Sequence, residues 1–480
     1  MDVSEIVRKA KLFALHHRIE LLQDPNVAGP DLSAIYAPFC LFPTPFPQSE
    51  MEYAKSLQSD FSLLLDRVSM DTKFLVESLT NVAAADDFTG NLVEILKTTS
   101  RESVKRPALI LMRSDYMLES KKKTGCSLTS LQQLEFNMIA ASLGGISERM
   151  PLLHRYTYSL LHGGVSADYE DKIPSNFVIH DFTKGLAVAF KEYGSPKAVI
   201  AFITEPLERN IFDIFAMELD LYENYSIRSI LVPFDDIIEG GTMEAKLDDD
   251  KKLIIGTDEV AVCYFRGAFL PKHYSTKKHW EARLLLERSK SIQSPSVALH
   301  LTGTKKVQQE LSKPGVLERF VDDSELIKRL RATFCRQYSL ARCCEGDEAT
   351  AMALACPDQY VLKPQREGGG NNFFDDCLKR KLLEIDGTSE RSGFVLVERI
   401  RPPTSKNYII RYGEPSQTQL QEVDVVDEFG TYGAYVRNGE TVCLNEFCGY
   451  MLRSKNVKSN EIGILAGLGA YNSFLLEKDT

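Results

Sequence analysis

Lys363-Pro-Gln-Arg-Glu-Gly-Gly-Gly-Asn-Asn372 follows directly on the apolar run Tyr360-Val-Leu-Lys363, and its reading decides what kind of chain this is. The apolar run is short enough to be a buried strand. Beyond it, three consecutive glycines let backbone N–H groups approach anionic oxygens with no Cβ in the way. Lys363 and Arg366 add positive charge. Glu367 adds a carboxylate where Mg2+ could be shared with phosphate oxygens. A flexible glycine turn edged by surface charge is the alternative, and the adjoining Lys, Arg and Glu favour the phosphate site. The spacing is neither Gly-x-x-x-x-Gly-Lys-Ser/Thr nor Gly-x-Gly-x-x-Gly, which excludes the P-loop and the dinucleotide fingerprint as explanations.

Outward from this loop the C-terminal part is β-rich: Phe394–Ile400, Tyr408–Arg411 and the Tyr432–Leu444 region. Within the last, Asn438-Gly439 between two strand-like runs predicts a type I′ hairpin. Such antiparallel strands would form a platform and a lid over a nucleotide. Arg453-Ser-Lys455 places two cations on one side of an extended chain, ahead of the small-residue loop Ile462–Gly469. Upstream, Gly303-Thr-Lys-Lys-Val-Gln-Gln-Glu-Leu311 puts a Lys pair at the start of a helix, where the helix end adds its own positive potential. By local pattern alone a solvated charged face is the default reading there. Ala198–Ile203, a helix near Ile211–Tyr222, Ser229–Phe234, Leu253–Ile255 and Val260–Phe265 alternate in the manner of a parallel, doubly wound sheet. A charged helix over Lys277–Lys290 follows. Ala108–Met112 reads as a buried strand delivering Arg113-Ser-Asp-Tyr-Met117 at its end. On a strand through Leu131–Met138, Glu135 and Asn137 share one face and Phe136 and Met138 the other. Two hard oxygen ligands so placed suit Mg2+, though on local grounds a merely solvated polar face is slightly favoured. Asp60–Thr98 has helical periodicity, and Leu41–Pro47, with its three prolines, is an extended connector.

The 480 residues, 44% apolar and 26% charged, suffice for two or three domains sharing a large core. A net charge of −10 argues against nucleic acid or an anionic membrane as partner. Met1–Gln23 does not read as a secretory signal, since charges interrupt any apolar core and Val3, Ile6, Val7, Ala10, Phe13 and Ala14 recur as on an amphipathic helix. No apolar run approaches the roughly 20 residues of a membrane span. Ten scattered cysteines without a Cys-x-x-Cys pair predict reduced thiols and a cytoplasmic setting, with secretion the alternative if a leader precedes Met1. The eight histidines form no metal motif.

Taken together, Arg113–Met117, Glu135-Phe-Asn137, Glu208-Arg-Asn-Ile-Phe-Asp213, Tyr264-Phe-Arg266, Trp280–Arg288, Gly303–Leu311, Leu330–Phe334 and Val361–Asn372 resemble eukaryotic glutathione synthetases. The resemblance is dense from about residue 100 to the C-terminus. It implies an α/β ATP-grasp fold with an inserted doubly wound parallel-sheet substrate domain and a glycine-rich lid. The catalytic body would comprise residues 1–195 and 304–480, with lid and glycine-rich loop in 340–430, and the substrate domain residues 196–303. It implies a homodimer that joins γ-glutamylcysteine to glycine at the expense of ATP, through an acyl phosphate. Carried over by position, Glu135, Asn137 and Glu367 match magnesium ligands, for two Mg2+ ions. Lys305, Lys363, Lys455 and Gly368, Gly369, Gly370, Asn371 and Asn372 match ATP contacts. Val397, Glu398, Arg399, Ile400 and Glu428 match the adenine and ribose side, and Glu461 lies on the ATP side of the C-terminal loop. Arg113, Ser142, Asn210, Arg266 and Arg453 match residues holding the peptide substrate.

The departures concentrate in the peptide pocket. Ala140 stands where the family has Ser, Ile214 where it has Gln and Phe269 where it has Tyr. Arg266-Gly-Ala-Phe269 lacks the usual Asp-Gly-Tyr after the arginine. Glu461-Ile462 replaces Asp-Gly, and Ile464-Leu465 replaces Val-Ala. Three readings follow: a glutathione synthetase, a diverged ligase with another donor, amine acceptor or role such as a secreted effector, and a nucleotide-binding protein without catalysis. The intact carboxylate set weighs against the third.

Overall fold

In the run Leu109-Ile-Leu-Met112, alternate side chains serve two different cores. Leu109 and Leu111 pack with Phe182, Tyr432 and Ala434, whereas Ile110 and Met112 pack with Phe61, Phe136 and Tyr435. A strand buried on both faces must lie in the middle of the molecule, with apolar layers on each side. The computed structural model describes residues 1–24, 32–102, 106–123, 126–166, 168–464 and 467–478.

The strand runs from Ala108 to Lys123, well past the expected end at Met112, so Arg113–Met117 lie within it and not beyond it. It belongs to an eight-stranded sheet with the order Ile409–Ile410, Phe39–Cys40, Gly469–Asn472, Thr441–Asn456, Val423–Asn438, Ala108–Lys123, Cys126–Asn137, with Ser405–Asn407 on Val423–Asn438. Val423–Asn438 and Thr441–Asn456 form a long antiparallel hairpin in which Asn438 pairs with Thr441. The turn is therefore Gly439-Glu440, one residue later than expected. Only Gly439 of the two has positive φ (59°), the pattern of a II′ turn and not of the expected I′ turn.

The stretch expected as one helical region from Asp60 is three helices beginning earlier: Gln48–Met70, Thr72–Ala85 and Asp87–Thr99. Asp71 and Asp86 break it, each capping the next helix by accepting from Phe74 N and Thr89 N.

A second sheet holds Ser229–Pro233, Val199–Thr204 and Asp258–Phe265 in parallel, with Ile292–Ser294 also parallel to Asp258–Phe265 and an antiparallel edge of Leu253–Ile255 and Ala245–Leu247. Val199–Thr204 is buried at every position, as a continuous apolar run in a parallel sheet must be. A small antiparallel sheet of Gln337–Ser339, Phe394–Glu398, Tyr360–Pro364 and Phe373–Phe374 carries the glycine-rich loop and packs on the helices Cys344–Ala355 and Asp375–Ile385. The result is a mixed α/β molecule with several sheets.

Candidate active site

A cavity of about 400 Å³ opens between the small sheet and the long hairpin of the central sheet. That is room for a nucleotide-sized ligand. Strand alternation brings Glu135 and Asn137 to it while Phe136 and Met138 turn into the core. The opposite wall comes from the end of Tyr360–Pro364, where Lys363 lines the cavity and donates to Leu134 O at 3.2 Å. Arg453 and Lys455, two residues apart on Thr441–Asn456, project from the same face of the hairpin.

Lys305 is the first residue of the helix Lys305–Leu311, capped by Thr304, and is buried rather than on a solvated face. Its ammonium lies 3.1 Å from Glu135 and 3.7 Å from Glu367. Burial would raise Glu135, but the charges of Lys305 and Lys363 outweigh it and lower that carboxyl to about 2. Burial raises Glu367 to about 7, with Lys305 opposing and the Glu135 charge adding to the rise. Neither Lys305 Nζ nor Glu367 Oε2 makes a directed hydrogen bond, although both are buried. Two carboxylates, one of them with an orphaned oxygen, and one amide form a donor set that fits a hard divalent cation shared with phosphate oxygens. Among the described residues no group of three His, Cys, Asp or Glu side chains forms a cage sufficient by itself.

The glycine-rich loop is held from two sides. Arg366, read from sequence as a phosphate cation, is engaged by Asp86 at 2.9 Å, which ties the loop to the N-terminus of Asp87–Thr99. Glu461 accepts from Gly370 N (3.2 Å) and Asn372 N (3.3 Å), so the C-terminal loop closes onto the loop amides. Gly368, Gly369, Asn372 and Glu461 line the cavity, while Asn371 folds its amide back onto the loop carbonyls. Val397, Glu398, Arg399 and Ile400 form one end, with the apolar side chains of Met117, Val361 and Phe374. Arg399 is fixed by Asp375 at 2.8 Å. Glu428, placed by resemblance on the ribose side, pairs with Arg453 directly opposite on the hairpin.

The expected peptide-binding residues separate into two groups. Arg113 and Arg453 line the cavity. Asn210 and Arg266 lie off it, buried around Asp213, which accepts from Arg266 (2.7 Å) and from Gly145 N (2.6 Å). Among the described residues, both side-chain amide atoms of Asn210 and Arg266 Nε have no hydrogen-bond partner. Ser142 contributes its carbonyl, which accepts from Arg113 and from the Tyr432 hydroxyl. Ala140 has φ 51° and donates its N–H to Phe265 O, beside Arg266. Phe269 sets its ring edge on His273. Ile214 is fully buried within an apolar core. Ile464 is buried, and Leu465 lies outside the described residues.

Three contributors escape a reading of the sequence: Asp115, Asp213 and Asp86. Asp115 shares a strand face with Arg113, an i, i+2 signal hidden by ending the strand too early. The Asp86-Asp-Phe-Thr cap signature was available for Asp86. Nothing local marks Asp213.

A sequence profile described as eukaryotic glutathione synthase, ATP-binding domain, matches residues 1–476. Human glutathione synthetase is 40% identical over 474 residues, covering 98% of this chain and 96% of that protein. The chloroplastic glutathione synthetase of Arabidopsis thaliana is 36% identical over 453 residues, covering 93% and 80%. Among solved structures, a glutathione synthetase-like effector from Globodera pallida in apo form superposes with a TM-score of 0.76 at 23% identity, covering 98% and 96%, a likeness of fold. With this match running from end to end, the chain belongs to the eukaryotic glutathione synthase family.

Proposed function

We propose that this protein is an ATP-dependent ligase that joins the carboxylate of a γ-glutamylcysteine-type donor to glycine. The observation that carries this reading is the convergence of Glu135, Asn137, Glu367, Lys305 and Lys363 on one cavity beside the glycine-rich loop. In the reaction, the donor carboxylate attacks the γ-phosphorus of ATP, releasing ADP and forming an acyl phosphate. The amine of glycine then displaces phosphate to form the amide. No protein nucleophile is required, so the chain's work is positioning and charge stabilisation.

Lys363, Lys305 and Lys455 offset phosphate charge, and the loop amides of Gly368–Asn372 cradle it. Glu135, Asn137 and Glu367 would hold Mg2+, two ions by family resemblance. When bound, the metal neutralises the transferring phosphoryl group. Arg113 and Arg453 face the same space and suit the donor carboxylate. Val397–Ile400 suit the adenine.

The architecture fits an ATP-grasp body of residues 1–195 and 304–480 with a doubly wound substrate insert at 196–303. The 340–430 segment would act as lid, and a homodimer is the expected assembly. ADP release with γ-glutamylcysteine plus glycine, then with other dipeptides and amines, tests the reading. ADP formation that requires both donor and amine supports it. Nucleotide binding without ADP release under any pair would return the chain to a non-catalytic binder.

A second reading, a ligase with a different donor, is favoured by the apolar side chains at Ala140 and Phe269. A secreted role would belong with it.

A further inference from the structure

Asp115 has no exposed surface, yet it is a carboxylate at the centre of the site. It accepts two bonds from Arg113, Nε at 2.6 Å and Nη2 at 2.8 Å. It accepts a third from Asn137 Nδ2 at 2.9 Å and a fourth, long one from Arg453 Nη2 at 3.4 Å. These donors come from three strands, Ala108–Lys123, Cys126–Asn137 and Thr441–Asn456. The sheet makes room for the cluster. Gly430 pairs with Asp115 on the neighbouring strand, and a Cβ there would lie 2.7 Å from Asp115 Oδ1 and 2.8 Å from Arg113 Cδ.

The consequence lies in Asn137. An amide has one donor end and one acceptor end. Its Nδ2 is committed to Asp115, with a longer contact to the Arg113 carbonyl at 3.4 Å. The acceptor oxygen is thereby the end left for the cavity that Asn137 lines. Without a buried acceptor behind it, the amide could present its NH2 to the cavity, which no cation accepts. We propose that Asp115 is a positioning residue: it fixes the Asn137 amide with its oxygen toward a divalent cation, while tethering Arg113 and Arg453 at the rim of the same cavity. This rests on the metal–nucleotide reading above. Partners behind a ligand commonly set metal affinity by about ten- to a hundredfold.

The test is a double-mutant cycle read by Mn2+ binding, using electron paramagnetic resonance of the full chain with adenylyl imidodiphosphate present. Asp115→Asn in the wild-type background should weaken Mn2+ by tenfold or more. In an Asn137→Ala background the same change should cost no more than about threefold, because the group through which Asp115 acts is gone. Equal losses in both backgrounds would make Asp115 only a nearby negative charge and overturn the proposal, as would wild-type affinity in Asp115→Asn. If Asp115→Asn does not fold by circular dichroism, Asp115→Glu enters the same cycle, since it keeps the charge and displaces the carboxylate. Absence of Mn2+ binding by the unsubstituted protein would instead overturn the metal reading itself, and the proposal with it.

Discussion

Glu367 joins the glycine-rich loop to the two-carboxylate cluster, and its proton is held up to about pH 7 by burial and by the Glu135 charge. A metal must displace that proton, so Mn2+ affinity in the presence of nucleotide should rise between pH 6 and 8 and level off above. Glu367→Ala should abolish that dependence and reduce turnover by at least about a hundredfold; unchanged turnover would remove Glu367 from the site. Asp427, on the hairpin strand Val423–Asn438 next to Glu428, is a separate case. It is half-buried, receives the Ser454 hydroxyl and has no cation beside it among the described residues, and loss of solvent around the carboxyl raises it to about 6. Because the folded value exceeds the ordinary 3.8, the folded state binds the proton more tightly. Stability therefore falls as pH rises from about 4 to 6 and stays reduced above. Asp427→Asn lacks this penalty. It should raise the melting temperature at pH 8, by at most about 3 kcal/mol of stability, and change little near pH 4. A gain of equal size at both pH values would remove Asp427 as its source.

At the scale of elements, the loops and the hairpin make separable predictions. Glu461 accepts from the amides of Gly370 and Asn372, a contact between two loops that are nearly a hundred residues apart. Glu461→Ala should speed hydrogen exchange at those two amides, with no change in the strand Tyr360–Pro364 that precedes them. Lys363→Ala removes a charged contact and should weaken ATP by about ten- to a hundredfold, read by calorimetry. Gly430→Ala drives a Cβ into the Arg113–Asp115 pair and should cost about 1–3 kcal/mol as overpacking of a closed site. Much of this level was readable in advance. The glycine-rich loop, the Lys305 helix start and the alternation of Glu135 and Asn137 all stand where local pattern put them, because each depends on a period or a cap within a few residues. The hairpin turn was misplaced by one residue. Register there is set by pairing along sixteen residues and by two bulges, which the Asn-Gly dipeptide does not encode.

For the molecule as a whole, the open matter is the donor. If the peptide site proposed by family resemblance holds, Ala140 and Phe269 each lack a neutral hydrogen-bonding group near Arg266. Together they should weaken γ-glutamylcysteine by roughly five- to a hundredfold relative to human glutathione synthetase, with nucleotide affinity preserved. Ala140→Ser with Phe269→Tyr should recover part of this in kcat/KM. Ile214 is different. It is fully packed in an apolar core, so Ile214→Gln would bury an amide there and lower stability instead of restoring a contact. Parental activity at the level of the human enzyme would sink the diverged-donor idea.

By itself, the sequence determined the family, the alternation of helices and strands in the parallel sheet, and the chemical character of the nucleotide end of the site. Those are encoded in contiguous stretches whose geometry is local: a glycine run after a strand, a Lys pair at a helix start, continuous apolar strands. What only the tertiary structure decided is which charges are paired within the chain. Arg366 is held by Asp86, Arg453 by Glu428 and Asp115, and Arg266 by Asp213, pairs separated by 25 to 338 residues in the chain. It also decided that Lys305 sits between Glu135 and Glu367, and that Ile214 is packed within an apolar core. The reason is that burial and charge pairing depend on which strands become neighbours, and one sheet here draws neighbours from both ends of the chain.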